Sequence, residues 1–332
     1  LGFANVVLPA TGWSEKDGTV TNSERRISRQ SKVMPAPGEA RHDWQMMCDV
    51  AKAMGFDTGF NFNHPAQIFD EHARLSAYQN NQTRDFDLSG LVGLTEQQYN
   101  NLVPIQWPVN ASFPNGTKRM FTDGQFFTPN KKARFIPITP RLPEQQTSAQ
   151  FPLVLNTGRI RDQWHTMTRT GTAATLSEHI SEPFIAMNSN TAAKYSFVDG
   201  DLADVSSSVS NKQRCVLPVR IDNNLRQGEC FAPIHWSLTN SSSASVTRLF
   251  TSARDPISGQ PELKHAAIQV TKITVKSNAQ LFSRSQLPAY VLSQMDYWVV
   301  SRSNFGYHYR LASMDEFCVL SASLCELVQN SS

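Results

Sequence analysis

The sequence predicts an α/β segment followed by a β-barrel. Three observations carry this reading: two amphipathic helical stretches near the start, a polar, Pro-bearing run at residues 139–150, and a series of short apolar strands punctuated by turn residues from Phe151 onward. At 332 residues the chain is long enough for two domains of ordinary size. It is 40% hydrophobic and 18% charged, and no apolar run approaches the roughly 18 residues of a bilayer helix, so a membrane partner is not expected. A net charge of +3, with the positive residues scattered, does not point to nucleic acid. Any anionic partner has to be held locally.

Along the chain, Val6-Val7-Leu8-Pro9 reads as a buried strand whose partner is absent from the sequence, and with Leu1 in place of Met it suggests a fragment. Residues 42–56 predict a helix capped by Asp43, with Trp44, Met47, Val50, Ala51 and Met54 on a core face and Gly55 at its end. A second helix is expected from Asn63 or His64, with Pro65 in its first turn and Ile68, Phe69, His72 and Leu75 inward. Residues 1–103 form this α/β part. Residues 104–150, rich in Pro, Gly and aromatics, read as an irregular covering segment and linker. Residues 151–276 form the barrel, with strands expected at 151–156, 184–187, 202–209, 214–221 and 230–233, a short helix between Asn188 and Tyr195, and a turn at Asn211-Lys212. Residues 277–332 are a Ser-rich tail of uncertain structure with an apolar stretch at 318–328.

The five cysteines, Cys48, Cys215, Cys230, Cys318 and Cys325, form no CxxC pair and have no histidine at zinc-ligand spacing, so neither a disulfide framework nor a zinc site is expected. The Asn-x-Ser/Thr triplets at Asn81, Asn110, Asn115 and Asn240 read as chance, because no leader precedes them, and a reducing cytoplasmic compartment is expected.

Chemistry concentrates in three segments. The run Thr157-Gly158-Arg159-Ile160-Arg161-Asp162-Gln163-Trp164-His165-Thr166 follows the strand Leu153-Val154-Leu155 and continues to Arg169 and Gly171. Gly158 admits close backbone approach, the arginines suit phosphate, the threonines offer hydroxyls, and Gln163 and His165 can read a heterocycle edge. Together they suit a phosphate-bearing, ring-containing cofactor. The competing reading is a solvated loop whose arginines pair with Asp162 or Glu178. A second cluster surrounds Lys16, with Gly18 as a turn and Glu24 beside Arg25 and Arg26, and an ordinary surface turn is its competing reading. The third is Ile234-His235-Trp236 at a strand end, with residues 255–265 downstream. Either His235 or His265 there can be purely structural.

In this order the segments resemble the molybdopterin oxidoreductases of the DMSO reductase family, and within it the assimilatory nitrate reductases. The resemblance rests on LPATGWSEKDGTVTNSERRISRQ, PGEARHDWQMMCDVAKAMGF, RDFDLSGLVGL, QWPV with GQFFTPNKKARF, TGRIRDQWHTMTRTG, and FAPIHW with DPISGQPELKH. It implies a double-psi β-barrel that clamps molybdenum-bis(molybdopterin guanine dinucleotide). The contacts it implies are Lys16, Asp43 (also reading guanine), Thr157 through Thr166, Ile234, Thr247 and Lys264. Thr247 stands where related periplasmic nitrate reductases place an Asn, and Ile234 where they carry an aromatic. The resemblance also implies nitrate as substrate, an electron donor such as ferredoxin, flavodoxin or an NADH-linked subunit, and a 4Fe-4S cluster. The ligands of that cluster and of molybdenum are expected upstream of this sequence, so no catalytic or metal-ligating residue is expected within it. Alternatives at this stage are another enzyme of the same class, such as a formate dehydrogenase, and a non-catalytic nucleotide-binding module.

Overall fold

The structure, a computed structural model, describes residues 3–56, 58–209, 215–316, 322 and 325. The Asn211-Lys212 turn, Arg214, Cys318 and most of the 318–328 stretch lie outside the described residues. The chain divides into two units, Leu1–Ile138 and Thr139–Ser332.

In the first unit, β1 (Gly18–Thr21), β2 (Arg26–Gln30) and β3 (Ile105–Gln106) form an antiparallel sheet with Gly18 opposite Gln30 and Arg26 opposite Gln106. Gly18 therefore opens a strand instead of making the expected turn. The turn lies at residues 22–25, where Asn22 Oδ1 accepts from the Glu24 and Arg26 amides at 2.9 and 3.1 Å. Helices α1 (Asp43–Ala53), α2 (Pro65–Ala77) and α3 (Glu96–Asn100) complete the unit. Ile27, Phe69, Ala73, Leu88, Tyr99 and Val109 make its core.

Further expectations are corrected here. Asp43 is the first residue of α1 rather than its cap, which is His42; the Gln45 side chain accepts from the His42 amide at 3.3 Å. On α2, with Pro65 at the first position and His64 Nδ1 accepting from the Ala66 amide, the inward face is Ala66, Phe69, Ala73 and Ser76, while His72 and Leu75 face solvent. On α1 the buried residues are Cys48 and Ala51, whereas Met47, Val50 and Met54 are 65%, 48% and 69% exposed. Val6, Val7 and Leu8 likewise form no strand and are exposed. A strand needs a neighbouring ladder and an apolar stripe needs a facing surface; the described residues supply neither. Such an apolar surface promotes association. Changing Met47 and Met54 to Glu is expected to shift the chain toward monomer in sedimentation velocity, and an unaltered distribution would show that this face does not drive association.

The second unit is built on a closed six-stranded barrel in the order β4 (Leu153–Gly158), β8 (Glu229–Pro233), β5 (Ile185–Met187), β7 (Cys215–Ile221), β6 (Leu202–Ser207), β9 (Ala266–Ile273). β4–β8 and β5–β7 pair in parallel and the other neighbours antiparallel. The β-rich sequence closes because each strand turns alternate apolar residues inward; Leu155, Ile185, Met187, Ala203, Val205, Leu217 and Ile268 are fully buried. Helix α4 (Ser189–Lys194) is capped by Asn188, which accepts from the Asn190 amide at 2.9 Å. Beyond the barrel, where the sequence was ambiguous, β10 (Ser277–Ser283), helix α5 (Ala289–Leu292), β11 (Tyr297–Ser303) and β12 (Gly306–Ser313) appear, and the three strands form an antiparallel sheet in the order β10-β12-β11. No helix among the described residues is long and apolar enough to cross a membrane.

Candidate cofactor-binding site

The segment singled out in the sequence leaves the barrel where β4 runs parallel beside β8, with Gly158 opposite Pro233. The Ile234 amide continues the ladder to Gly158 O at 3.0 Å. A Cβ on residue 158 would stand 2.8 Å from Cε2 of Phe231, so glycine is what permits this approach. The Thr157 side chain donates to Leu263 O at 2.6 Å, and Lys264 Nζ donates to Thr157 O. The strand end is thereby tied to the residues leading into β9.

His235, fully buried at the end of β8, fixes the loop itself. Its Nε2 accepts from the Ile160 amide at 2.9 Å, and its Nδ1 stands 2.6 Å from His165 O. Both contacts are satisfied together only when the proton is on Nδ1 and Nε2 is bare, that is, by neutral imidazole. Burial pushes the His235 pKa down, and the nearby Arg159 and His165 add to this, against the His165 carbonyl, which favours the proton. A second brace is Gln163, which is 4% exposed: its Nε2 donates to Leu176 O at 3.0 Å and its Oε1 accepts from Thr170 at 2.7 Å. Gln163 therefore braces the loop through both of its amide atoms. Met167 is buried beneath the same loop. These anchors hold His165 and Met167 at φ +45° and +60°.

What the loop offers outward is a set of donors. Arg159, Trp164, His165, Thr166, Thr168 and Arg169 are exposed, with the Arg159 guanidinium 5.2 Å from the Trp164 ring centroid. Arg161 behaves as the competing reading anticipated: it pairs with Asp162 at 2.9 Å, and Asp162 also meets His179 at 2.9 Å. The hydrogen bond from Arg161 holds the Asp162 carboxyl below its ordinary range. The one carboxylate of the run is thus occupied, and among the described residues Arg159 and Arg169 have no ion-pair partner, which leaves them for an external anion. Ile160 and Ile234 are half-buried and pack on the barrel core, and Thr247 is exposed on the short helical turn Val246–Leu249.

In the first unit, Lys16 Nζ donates to Asp43 Oδ2 at 2.6 Å, and this bond lowers the Asp43 pKa. Each is the other's partner, so a ligand that uses either one competes with this pair. Cys215 and Cys230 are buried in the barrel, and desolvation pushes both thiols up to about 12, which keeps them protonated and inert. Among the described residues no group of three His, Cys, Asp or Glu is placed to hold a metal ion.

The donor set fits a cofactor with phosphates and a heterocycle: two uncommitted arginines, hydroxyls and an imidazole stand on a backbone fixed from below. His235, which the sequence placed in the third segment with a structural role open to it but not among the cofactor contacts, takes the role of brace. The signal was its place at a strand end in FAPIHW, but its partners lie 70 and 75 residues away in the chain.

Residues 153–267 match the molydopterin dinucleotide binding domain, and residues 1–53 match molybdopterin oxidoreductase. The chain belongs to the molybdopterin oxidoreductases. Within them it is nitrate reductase-like: it is 42% identical over 288 residues to a nitrate reductase of Klebsiella oxytoca, covering 86% of this chain and 32% of that protein. It is 31% identical to the assimilatory nitrate reductase catalytic subunit of Bacillus subtilis, over 82% of this chain and 36% of that one. An F420-dependent formate dehydrogenase subunit alpha of Methanocaldococcus jannaschii is 32% identical over 82% of this chain and 37% of its own length. The chain thus spans about a third of the length of these relatives. The acetylene hydratase from Pelobacter acetylenicus shares the fold, with a TM-score of 0.55 at 16% identity over 80% of this chain and 38% of that one.

Proposed function

We propose that this chain is the cofactor-clamping part of a molybdenum-dependent assimilatory nitrate reductase. The observation that carries the reading is the loop at residues 157–166, whose outward donors stand on a backbone braced by His235 and Gln163, in a chain 42% identical to a nitrate reductase. The cofactor is molybdenum-bis(molybdopterin guanine dinucleotide), and when bound it supplies the two-electron oxygen-atom transfer that converts nitrate to nitrite. The chain's share is binding, orientation and electrostatics. Arg159 and Arg169 neutralise phosphate, His165 and Thr166 supply further donors, and Thr157, Gly158, Ile160 and Ile234 set the backbone they stand on. Arg161, Asp162, Gln163 and Trp164 shape the loop, and Thr247 adds a hydroxyl nearby in sequence to the barrel. Lys264 holds the strand end; within the first unit, Lys16 and Asp43 are the candidate cofactor contacts.

The two parallel pairs inside an otherwise antiparallel closed barrel support a double-psi topology. Residues 1–103, 104–150, 151–276 and 277–332 are then the cofactor-domain part, its covering segment, the barrel, and a tail carrying the added sheet. A 4Fe-4S cluster, with ligands outside this sequence, and a donor such as ferredoxin, flavodoxin or an NADH-linked subunit complete the cytoplasmic enzyme. The formate dehydrogenase relative, 32% identical, favours formate oxidation as the second reading.

The test is to produce the chain in its full-length context and follow reduced-dye oxidation by nitrate, with formate-dependent dye reduction in parallel. Turnover with nitrate alone supports the proposal, and turnover with formate alone replaces it by the second reading. Arg159→Ala is expected to lower molybdenum content before it alters the preference between substrates. Full molybdenum content in that variant would remove Arg159 from the binding set.

A further inference from the structure

The added sheet beyond the barrel builds a second feature against the same loop. β11 is fastened to residues 240–242: Ser242 donates its amide to Trp298 O and Val300 donates its amide to Asn240 O, each at 2.9 Å. Between this sheet, the run from Gln163 to Ser181 and the segment after β8 lies a cavity of about 610 Å³. Its wall carries the hydroxyls of Thr166, Thr168 and Ser237, the Asn240 amide and one charged group, Arg302. Among the described residues no carboxylate lines it.

Arg302 has no ion-pair partner among the described residues; its guanidinium sits 4.4 Å from the ring centroid of Tyr307, its cross-strand partner. Stacking orients a guanidinium while leaving its N–H groups free. The tip that brings these two side chains together requires Gly306, where a Cβ would stand 2.3 Å from Ser283 O. The other large cavity of this unit, about 710 Å³, is different: its cations are already matched, Arg310 by Glu182 at 2.7 Å and Lys272 by Asp201 at 2.6 Å.

A hollow with one unpaired cation, several hydroxyl donors and no acid is chemically an anion receptor. We propose that this cavity is an oxyanion subsite, with Arg302 as its charge and Thr166 and Thr168 among its donors, facing the outer side of the cofactor loop. It takes either a small planar oxyanion or the phosphate end of a nucleotide. The subsite borders the loop assigned above, but its anion binding does not depend on the molybdenum reading.

Isothermal titration of the full chain in chloride-free buffer with nitrate, inorganic phosphate and GMP tests this without any metal. At least one anion is expected to bind, and Arg302→Ala to weaken it by about 10- to 100-fold, the range for a lost charge-assisted hydrogen bond. Thr168→Val, which leaves the sheet untouched, is expected to weaken it several-fold. Arg226→Ala, at an exposed arginine paired only with Glu229, is expected to change nothing. Binding of nitrate alone identifies a planar-oxyanion site, and binding of phosphate and GMP a phosphate site; either supports the proposal. No binding of any of the three at millimolar concentration, or equal binding by wild type and by both Arg302→Ala and Thr168→Val, overturns it.

Discussion

Replacing His235 by alanine is expected to destabilise the chain by about 2–4 kcal/mol, since it leaves the Ile160 amide and the His165 carbonyl without their buried partner and opens a void beside the loop. The loss should show as a lower urea midpoint with unchanged m-value, and as faster hydrogen exchange confined to residues 157–166 at denaturant concentrations below the transition. The pH dependence has a definite sign. Because the folded pKa of His235 lies below its unfolded value of 6.5, the unfolded chain takes up the proton first. The stabilisation is complete above about pH 6.5, falls as the pH drops below it, and levels off once the folded-state pKa is passed. The His235→Ala variant should lack this part of the pH profile. A variant with wild-type midpoint and wild-type exchange in the loop would show that the imidazole does not brace it.

Gly158→Val is expected to have the second-largest effect. The new Cβ would lie 2.8 Å from Cε2 of Phe231, and the β-branched methyls would add to the overlap where β4 and β8 run side by side. Overpacking of this kind costs about 1–3 kcal/mol, and it displaces the first residue of the loop. Because the obstacle is a ring edge and not backbone, the defect should be repairable. Phe231→Leu combined with Gly158→Val is expected to recover part of the lost stability, giving a favourable coupling in a double-mutant cycle. Strict additivity of the two changes would mean that the strain lies elsewhere.

The sequence showed the fold unevenly, and the reasons are physical. Five of the six barrel strands were legible because apolar runs such as IAM and CVLPVRI are bounded by turn residues. The sixth, β9, begins with Ala266 and Ala267, which have weak strand propensity, yet it closes the barrel between β4 and β6. β10 was missed because Ser, Asn, Ala and Gln open it with weak strand propensity and its partner β12 is distant in the chain. On α1, periodicity disclosed an apolar stripe at Met47, Val50 and Met54 but carries no information on whether anything covers it. The donors of the 157–166 run were visible as residue types. Which of them face outward was not, since that depends on His235 and Gln163 turning the backbone from beneath.

We infer that this braced loop holds a molybdenum cofactor carrying guanine nucleotide. The most direct measurement is the molybdenum content, together with the GMP released by acid hydrolysis, per mole of purified full-length protein, for wild type and for Arg159→Ala/Arg169→Ala. Both quantities are expected in the wild type and lowered together in the double variant, with the protein still folded by circular dichroism. Molybdenum and GMP retained at the wild-type level in the double variant would contradict it.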